Sequence, residues 1–398
     1  MSNFIEQAVM ELKLKLDRSE WSLVRFGDVA IKQNKSVDRE NTHLKNYVKG
    51  EHMLSEDLHL RDWGDLADEY LGPAFIRYFE EGDILYGSRR TYLRKVTIAP
   101  FEGITSNTTF VIKANEAVID QRLLPFVMLS EGFSQHSIRN SKGSVNPYVN
   151  WKDIAGYEFL LPPKAQQAEI AELLWAIDNV VQKDRTISTK LEISYLAKRE
   201  DLLGGALGAK VKLGDISKLQ GGATFKSRDS VDKGVNWLKI ANVGFGEIKW
   251  QDKSYLPSHF ADEYPDFVLN TGDIVLALTR PILGDVLKVS RIRESDSGAL
   301  LNQRVGRIRL TGPIDPKFLY EHLRSRSFML ALKKELQGTD PPNISTRMYE
   351  NYQIRLPSLI DQINITTKLE LMSATLNLLL DKTSSSISLQ KSLVNQVF

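Results

Sequence analysis

Cysteine is absent from the 398-residue chain. Disulfides, thiolate nucleophiles and cysteine-ligated zinc or iron–sulfur centres are thereby excluded. A reducing, cytoplasmic location fits that absence. Histidine is scarce, and the six residues (His43, His52, His59, His136, His259, His322) are scattered. None forms an i,i+4 pair or an H-E-x-x-H, so no histidine-built metal centre is expected. No run of about 18 apolar residues occurs, so no transmembrane helix is expected. The N-terminal stretch carries Glu6 and Glu11 among its apolar positions and lacks the apolar block of a secretory signal. No G-x-x-x-x-G-K-[ST] is present, which argues against ATP hydrolysis on this chain. Gly244-Phe245-Gly246 lacks a third glycine and a following helix, and reads as a turn. What remains is 42% hydrophobic and 26% charged, the balance of globular domains.

The net charge of +2 is unevenly spread. Residues 21–161 hold 17 basic and 19 acidic side chains, whereas residues 211–356 hold 22 and 17. The positive excess lies in one globular segment, which is compatible with a polyanionic partner.

The chain repeats itself. Leu23-Val24-Arg25-Phe26-Gly27-Asp28-Val29 returns as Val211-Lys212-Leu213-Gly214-Asp215-Ile216. Glu81-Gly82-Asp83-Ile84-Leu85 returns as Thr271-Gly272-Asp273-Ile274-Val275, and Ile119-Asp120 as Ile314-Asp315. Lys142-Gly143-Ser144 returns as Gln337-Gly338-Thr339, and Tyr157–Pro162 as Tyr352–Pro357. Five matches in one order, with an offset drifting from 187 to 195, indicate two domain-sized units separated by loop insertions.

Each unit opens with about 140 residues of short Val-, Ile- and aromatic-rich runs between Gly, Asn and Pro, the pattern of strands and turns. Some helix is mixed in, for instance around 316–332. A helix-forming stretch follows a proline in each copy. From Ala165 to Leu203 there is neither glycine nor proline, and Ile170, Leu173, Ile177, Val180, Ile187 and Leu191 recur at steps of three and four, with Asp184 interrupting them. In the second copy Ile365, Leu369, Met372, Leu376 and Leu379 keep the same spacing. Such periodicity predicts two long helices packed as an antiparallel coiled coil; the alternative is that each helix packs on its own domain. The expected organisation is an N-terminal helical extension at 1–20 through Phe4, Ile5, Val9 and Leu12, a first domain at 21–161, and a helix at 162–210. A second domain at 211–356 and a second helix at 357–398 complete it. The fold class is α+β: two tandem domains of small mixed sheets, each followed by a long helix.

Basic residues gather where loops are expected. Arg89, Arg90, Arg94 and Lys95 surround Tyr92. In the second unit Lys288, Arg291, Arg293, Arg304, Arg307 and Arg309 outnumber Glu294 and Asp296. Arg and Lys meet phosphates, while Arg, Asn and Gln can read base edges bidentately. The alternative is a solvated surface face. Asp340-Pro341-Pro342-Asn343 is similar to the Asp-Pro-Pro-aromatic turn of amino-methyltransferases. It lacks the aromatic, and Val145–Tyr148 of the first copy has no aspartate, so a turn common to both units is the better reading.

Taken in order, these motifs resemble the specificity subunit of type I restriction-modification systems along nearly the whole chain. The resemblance rests on a glycine–Ser/Thr turn (Gly143-Ser144, Gly338-Thr339), then a strand and Leu-Pro (Leu161-Pro162, Leu356-Pro357), then a helix opening with Gln (Gln166-Gln167, Gln362). It implies two target-recognition domains, each reading one half of a bipartite double-stranded DNA target, with the helices as spacers. It implies no catalytic centre and no cofactor on this chain. Two modification subunits would dock on the helices and carry S-adenosylmethionine for adenine methylation. Where a translocating restriction subunit joins, it would bring ATP and Mg. The DNA-binding candidates are then Arg89, Arg90, Tyr92, Arg94, Lys95, Lys142, Ser144, Asn146 and Tyr148 in the first domain. In the second they are Arg280, Asn302, Gln303, Arg304, Asn343, Ser345 and Arg347. Three other readings stay open: a recognition subunit of a different defence or modification assembly, a coiled-coil scaffold whose globular ends bind proteins, and a lone adenine methyltransferase.

Overall fold

The structure is a computed structural model that describes residues 17–38, 41–205, 207–338 and 340–398. The extension through Phe4, Ile5, Val9 and Leu12 lies outside the described residues. Two units emerge, one running to Thr186 and joined by Leu380–Phe398, the other spanning Ile187–Leu379.

In the first unit β1 (Ser22–Arg25), α1 (Phe26–Val29) and β2 (Ala30–Gln33) lead into β3 (Asn46–Val48), β4 (Gly64–Asp65) and β5 (Phe75–Phe79). Then come β6 (Ile84–Gly87), β7 (Val96–Ile98), β8 (Gly103–Ser106) and β9 (Thr109–Ala114). Helices α2 (Leu124–Leu129), α3 (Glu131–Arg139) and α4 (Trp151–Ala155), strand β10 (Glu158–Leu161) and the long α5 (Lys164–Gly204) follow. The strands form sheets ordered β2-β9-β6-β7 and β4-β3-β8-β5, with β1 paired to β10.

The second unit holds β11 (Ala209–Lys212), α6 (Leu213–Ile216), β12 (Ser217–Gly221), β13 (Val235–Leu238), β14 (Tyr255–Leu256) and α7 (Phe260–Glu263). It continues through β15 (Ile274–Ala277), β16 (Ile282–Leu283), β17 (Val286–Leu287), β18 (Val289–Arg291), β19 (Leu300–Leu301) and β20 (Val305–Leu310). Helices α8 (Pro316–Leu323), α9 (Arg326–Leu336) and α10 (Thr346–Asn351), strand β21 (Gln353–Leu356) and the long α11 (Leu359–Val397) close the chain. The sheet β12-β20-β15-β18 has the order of β2-β9-β6-β7, β14-β13-β19 that of β4-β3-β8, and β11-β21 that of β1-β10. The drifting offset is thereby located. It is 187 at β2/β12, 190 at β6/β15, 193 at β7/β18 and 196 at β9/β20. The step between β6 and β7 corresponds to the β16–β17 hairpin, which has no counterpart among the described residues of the first unit.

The core of the first unit joins Phe26, Ile84, Ile112, Phe126 and Phe133 to Ile170, Leu174 and Ile177 of α5 and to Leu393, Val394 and Val397 of α11. That of the second joins Leu213, Ile274, Phe318, Phe328 and Tyr349 to Leu203 of α5. Each Leu-Pro junction is held by one buried glutamine. Gln167 accepts from the Asp120 amide (2.8 Å) and donates to the Val118 (3.0 Å) and Pro162 (2.9 Å) carbonyls. Gln362 repeats this with the Asp315 amide (2.8 Å) and the Pro313 (3.3 Å) and Pro357 (2.9 Å) carbonyls. The Pro162 and Pro357 carbonyls are buried, and leaving such groups without this donor is costly.

The buried face of α5 differs from the expected seam. Ile187 is exposed, whereas Asp184, Ser188 and Arg199 are buried. The reason is that polar groups in the seam find partners: Asp184 accepts from Lys382 of α11 (2.8 Å), and Asp178 from Gln390 (3.0 Å). Falling numbers on α11 against rising numbers on α5 make this stretch, within the first unit, antiparallel.

Candidate nucleic-acid interface

In the first unit three loops meet at one edge of β2-β9-β6-β7. Lys142 and Tyr148 pair as a short hairpin, their amides donating to each other's carbonyls at 2.8 and 2.9 Å. Gly143 turns it with φ 92°, a conformation open to glycine. The hairpin is tied to the segment after β6 by the Val149 amide on the Ser88 carbonyl (2.9 Å) and the Arg90 amide on the Pro147 carbonyl (2.6 Å). Arg90 also donates from Nε to Asn146 Oδ1 at 2.8 Å. Arg89, Arg90, Tyr92, Lys142, Ser144, Asn146 and Tyr148 are all exposed on this cluster. Lys142 lies 3.6 Å from Asp153.

Arg94 and Lys95 stand apart from it. Arg94 is half-buried between Glu56 (3.1 Å) and Glu131 (2.7 Å), and the Glu131 carboxylate holds its pKa up. The Lys95 ammonium donates to the Gly50 carbonyl, and burial lowers its pKa. Both cations are engaged inside the unit.

The second unit builds the same junction. The Arg280 amide donates to the Pro342 carbonyl (2.8 Å) and the Ile344 amide to the Leu278 carbonyl (2.8 Å). Thr279 Oγ1 donates to Asn343 Oδ1 at 3.0 Å. Arg90 and Arg280 occupy equivalent places, and both are left-handed, with φ 51° and 46°. Non-glycine residues adopt that region rarely and at a cost, and such strain concentrates at functional loops. The β19–β20 turn joins the cluster through the Leu278 amide on the Arg304 carbonyl (2.9 Å). Asn302 Oδ1 accepts from the Arg304 amide (3.0 Å), which shapes the turn and leaves Gln303 and Arg304 exposed. Arg280, Asn343, Ser345 and Arg347 are exposed too. Ser345 Oγ caps α10 by accepting from the Met348 amide (3.2 Å).

The basic run of the second unit is not one surface. Arg307 is wholly buried, donating to Val268 O (2.7 Å), Gln220 Oε1 (3.0 Å) and Asp273 (3.2 Å). β20 is an interior strand, and Val305–Ile308 are covered on both faces. Burial lowers the Arg307 pKa.

One loop escaped the sequence reading. Ser106-Asn107-Thr108, with Asn107 exposed, receives the Ser88 amide on the Thr108 carbonyl (3.1 Å), as Arg304 receives Leu278. It is the first unit's counterpart of Asn302-Gln303-Arg304. Aligning Thr109–Ala114 with Val305–Leu310 would have found it. Leu283 and Val286 of the β16–β17 hairpin, beside Arg280, are exposed as well.

Guanidinium, amide and hydroxyl groups at three loop tips, repeated on two units, are suited to phosphates and base edges. Among the described residues no cluster of three or more His, Cys, Asp or Glu is placed to hold a metal ion, and no helix is long and apolar enough to cross a membrane.

Comparison with known proteins bears on this arrangement. The family model for the type I restriction modification DNA specificity domain matches twice, at residues 18–192 and 209–387. The type I restriction enzyme MjaVIII specificity subunit of Methanocaldococcus jannaschii is 32% identical over 376 residues, covering 88% of this chain and 85% of that protein. The EcoAI specificity subunit of Escherichia coli is 30% identical over 167 residues, covering 42% of this chain and 28% of that protein. Among solved structures, the type I restriction-modification S subunit from M. genitalium superposes with a TM-score of 0.60 at 12% identity, covering 97% of this chain and 98% of that one. A chain from a study of complex assembly and conformational transition of the type I R-M system gives 0.60 at 17% identity, covering 95% and 97%. These two likenesses show a shared fold.

Proposed function

The chain belongs to the type I restriction-modification DNA specificity family, and we propose that each of its two units reads one half of a bipartite DNA target through the three-loop cluster just described. The carrying observation is the duplicated junction, in which Arg90 and Arg280 take the same left-handed backbone and the same amide-to-proline-carbonyl hydrogen bond. Duplicated loops with different side chains suit two different half-sites. Arg90 with Asn146, and Arg280 with Asn343 and Arg304, are the base-reading candidates, while Arg89 and Lys142 are placed for phosphates. Tyr92, Ser144, Tyr148, Asn302, Gln303, Ser345 and Arg347 complete the two surfaces. Arg94 and Lys95 support the first loop from below. In this reading α5 and α11 separate the half-sites.

Two modification subunits dock on the helical regions and carry S-adenosylmethionine. They methylate adenine in each half-site after flipping it from the stack, since the reacting atom is out of reach inside the duplex. A restriction subunit, where one joins, brings ATP and Mg. This chain contributes recognition and no catalysis, and works in the cytoplasm. Its own division of labour is a first recognition domain at 21–161, a second at 211–356, and spacers at 162–210 and 357–398.

The test is DNA binding by the assembled complex over a salt series. Lys142→Ala should weaken cognate and random duplexes alike and reduce the slope of log K against log salt by about one. Arg90→Ala should weaken the cognate duplex by roughly 1–3 kcal/mol and relax one position in one half-site. Unchanged affinity and specificity in both variants would contradict the loop assignment.

A further inference from the structure

The β16–β17 hairpin lies between β15 and β18 and begins two residues after Arg280. The Lys288 amide closes its base on the Pro281 carbonyl at 2.8 Å. Its strands pair Ile282 with Leu287 and Leu283 with Val286. The first pair faces inward: Leu287 is buried, and Ile282 packs on the core of the second unit. The second pair faces outward, with Leu283 63% and Val286 51% exposed. Gly284, at φ 60°, opens the two-residue turn between them, a position that requires glycine. Asp285 is the only charged residue between Ile282 and Leu287. It is paired with Lys333 of α9, which holds its carboxyl below the usual range.

The outward face of a hairpin ordinarily carries polar side chains. Here a leucine and a valine stand directly opposite each other, about 5 Å apart at Cβ. Two side chains fall far short of the roughly 800 Å² that one side of a stable protein interface buries. The patch instead continues the loop cluster of the second unit. Arg280 precedes it, and the helix that holds Asp285 leads into the Asn343 loop. In the major groove the apolar group on a base edge is the 5-methyl of thymine. That groove also admits a two-stranded ribbon, and an arginine reads guanine there. A strand advances about 3.3 Å per residue and a DNA strand about 3.4 Å per nucleotide. Leu283, three residues beyond Arg280, thus reaches a base pair up to about three steps from the one Arg280 meets.

We propose that Leu283 and Val286 determine specificity by packing on the 5-methyl group of a thymine in the half-site read by the second unit. The proposal rests on the reading of this chain as a DNA specificity subunit whose loop clusters meet base edges. In the first unit the equivalent segment is a single helical turn, Thr91–Leu93, with Tyr92 exposed. Methyl sensing by an apolar hairpin therefore belongs to one half-site.

The test is fluorescence anisotropy of the assembled complex on cognate duplexes in which the thymines are replaced, one at a time, by deoxyuridine. That replacement removes the methyl and leaves the hydrogen-bonding edges in place. At one thymine of the second unit's half-site, wild type should lose about three- to fivefold in affinity, the scale of one buried methyl. Leu283→Ser with Val286→Ser should bind the unmodified duplex about three- to fivefold more weakly and lose nothing further on the deoxyuridine duplex. The slope of log K against log salt should stay as in wild type, because no phosphate contact is removed. Both side chains are exposed, so the substitutions open no core, and the deoxyuridine arm needs no variant at all. Wild type indifferent to every deoxyuridine in that half-site would overturn the proposal. So would a variant that binds as wild type does, or one whose loss adds to that of deoxyuridine, since the hairpin would then touch sugar, phosphate or a base step. A wild-type complex that prefers no split motif over random DNA would instead refute the functional reading itself.

Discussion

Arg280→Gly separates recognition from stability. Arg280 is exposed and sits at φ 46°. A left-handed backbone costs a side-chain-bearing residue roughly 1–2 kcal/mol, which glycine does not incur. Against that, glycine loosens the unfolded chain by about 0.4–1 kcal/mol. The fixed contacts at this residue are backbone ones, the amide on the Pro342 carbonyl, and glycine keeps them. The folding balance should therefore lie between zero and about 1.6 kcal/mol in favour of the variant. The guanidinium is lost entirely, so binding of cognate DNA by the assembled complex should weaken by roughly 1–3 kcal/mol, or about 5- to 150-fold. Specificity should relax only in the half-site read by the second unit. Urea unfolding of the full chain gives the first quantity, and fluorescence anisotropy with duplexes varied in each half gives the second. A variant clearly less stable than wild type would refute the strain argument. One that binds and discriminates as wild type does would refute the recognition role.

Other perturbations address the scaffold and its titration. Gln362→Leu should destabilise the second unit by about 1–3 kcal/mol, since the buried Pro357 carbonyl loses its partner while the Asp315 amide and the Pro313 carbonyl turn to water. Hydrogen exchange should then show faster exchange at the Asp315 amide and none of that change at Asp120. Arg307→Leu should also destabilise the second unit, because the Val268 carbonyl and the Asp273 carboxylate lose a buried cationic donor, although Gln220 keeps Arg309 (2.9 Å) and Asp273 keeps the Asn270 amide (2.9 Å). Burial pushes His322 down to about 4. Below pH 6.5 the unfolded chain takes up a proton that the folded chain refuses, so stability should fall from pH 6.5 toward 4 and level off below that. About 2 kcal/mol should be lost by pH 5, measured as a urea midpoint, and His322→Leu should flatten the profile.

The duplication was legible in the sequence because short strands and their turn glycines tolerate little change. Gly82 and Gly272 stand at φ 85° and 92° in matching turns, and Gly143 and Gly338 at 92° and 80°. The paired sheet orders followed from that. The helix seam was harder. Periodicity of apolar residues selected Ile187 and treated Asp184 as an interruption, yet Asp184 is the buried one, because Lys382 neutralises it from 198 residues away. Gln167 and Gln362 were visible as motif residues, but their clamping role was not, because their partners are backbone groups that carry no sequence signature. Arg307 looked like part of a basic face because strand membership, not composition, decides whether both sides are covered. At the recognition loops the residue types were visible, but their grouping was not. Arg89 meets Lys142–Tyr148 only through the hairpin's backbone pairing, and Asn107 joins them only through Thr108. Arg94, surrounded by no acid in sequence, meets two in space.

The central claim, that this chain chooses a split DNA target, is tested most directly by mapping modified bases with single-molecule sequencing. Host DNA is compared with and without this gene, its neighbours intact, and then with Arg280→Gly in its place. The account predicts adenine methylation at one bipartite motif that disappears without the gene. With the variant, the motif should relax in one half and keep the other. Methylation unchanged by deletion, with the protein expressed and its partners active, would contradict the account.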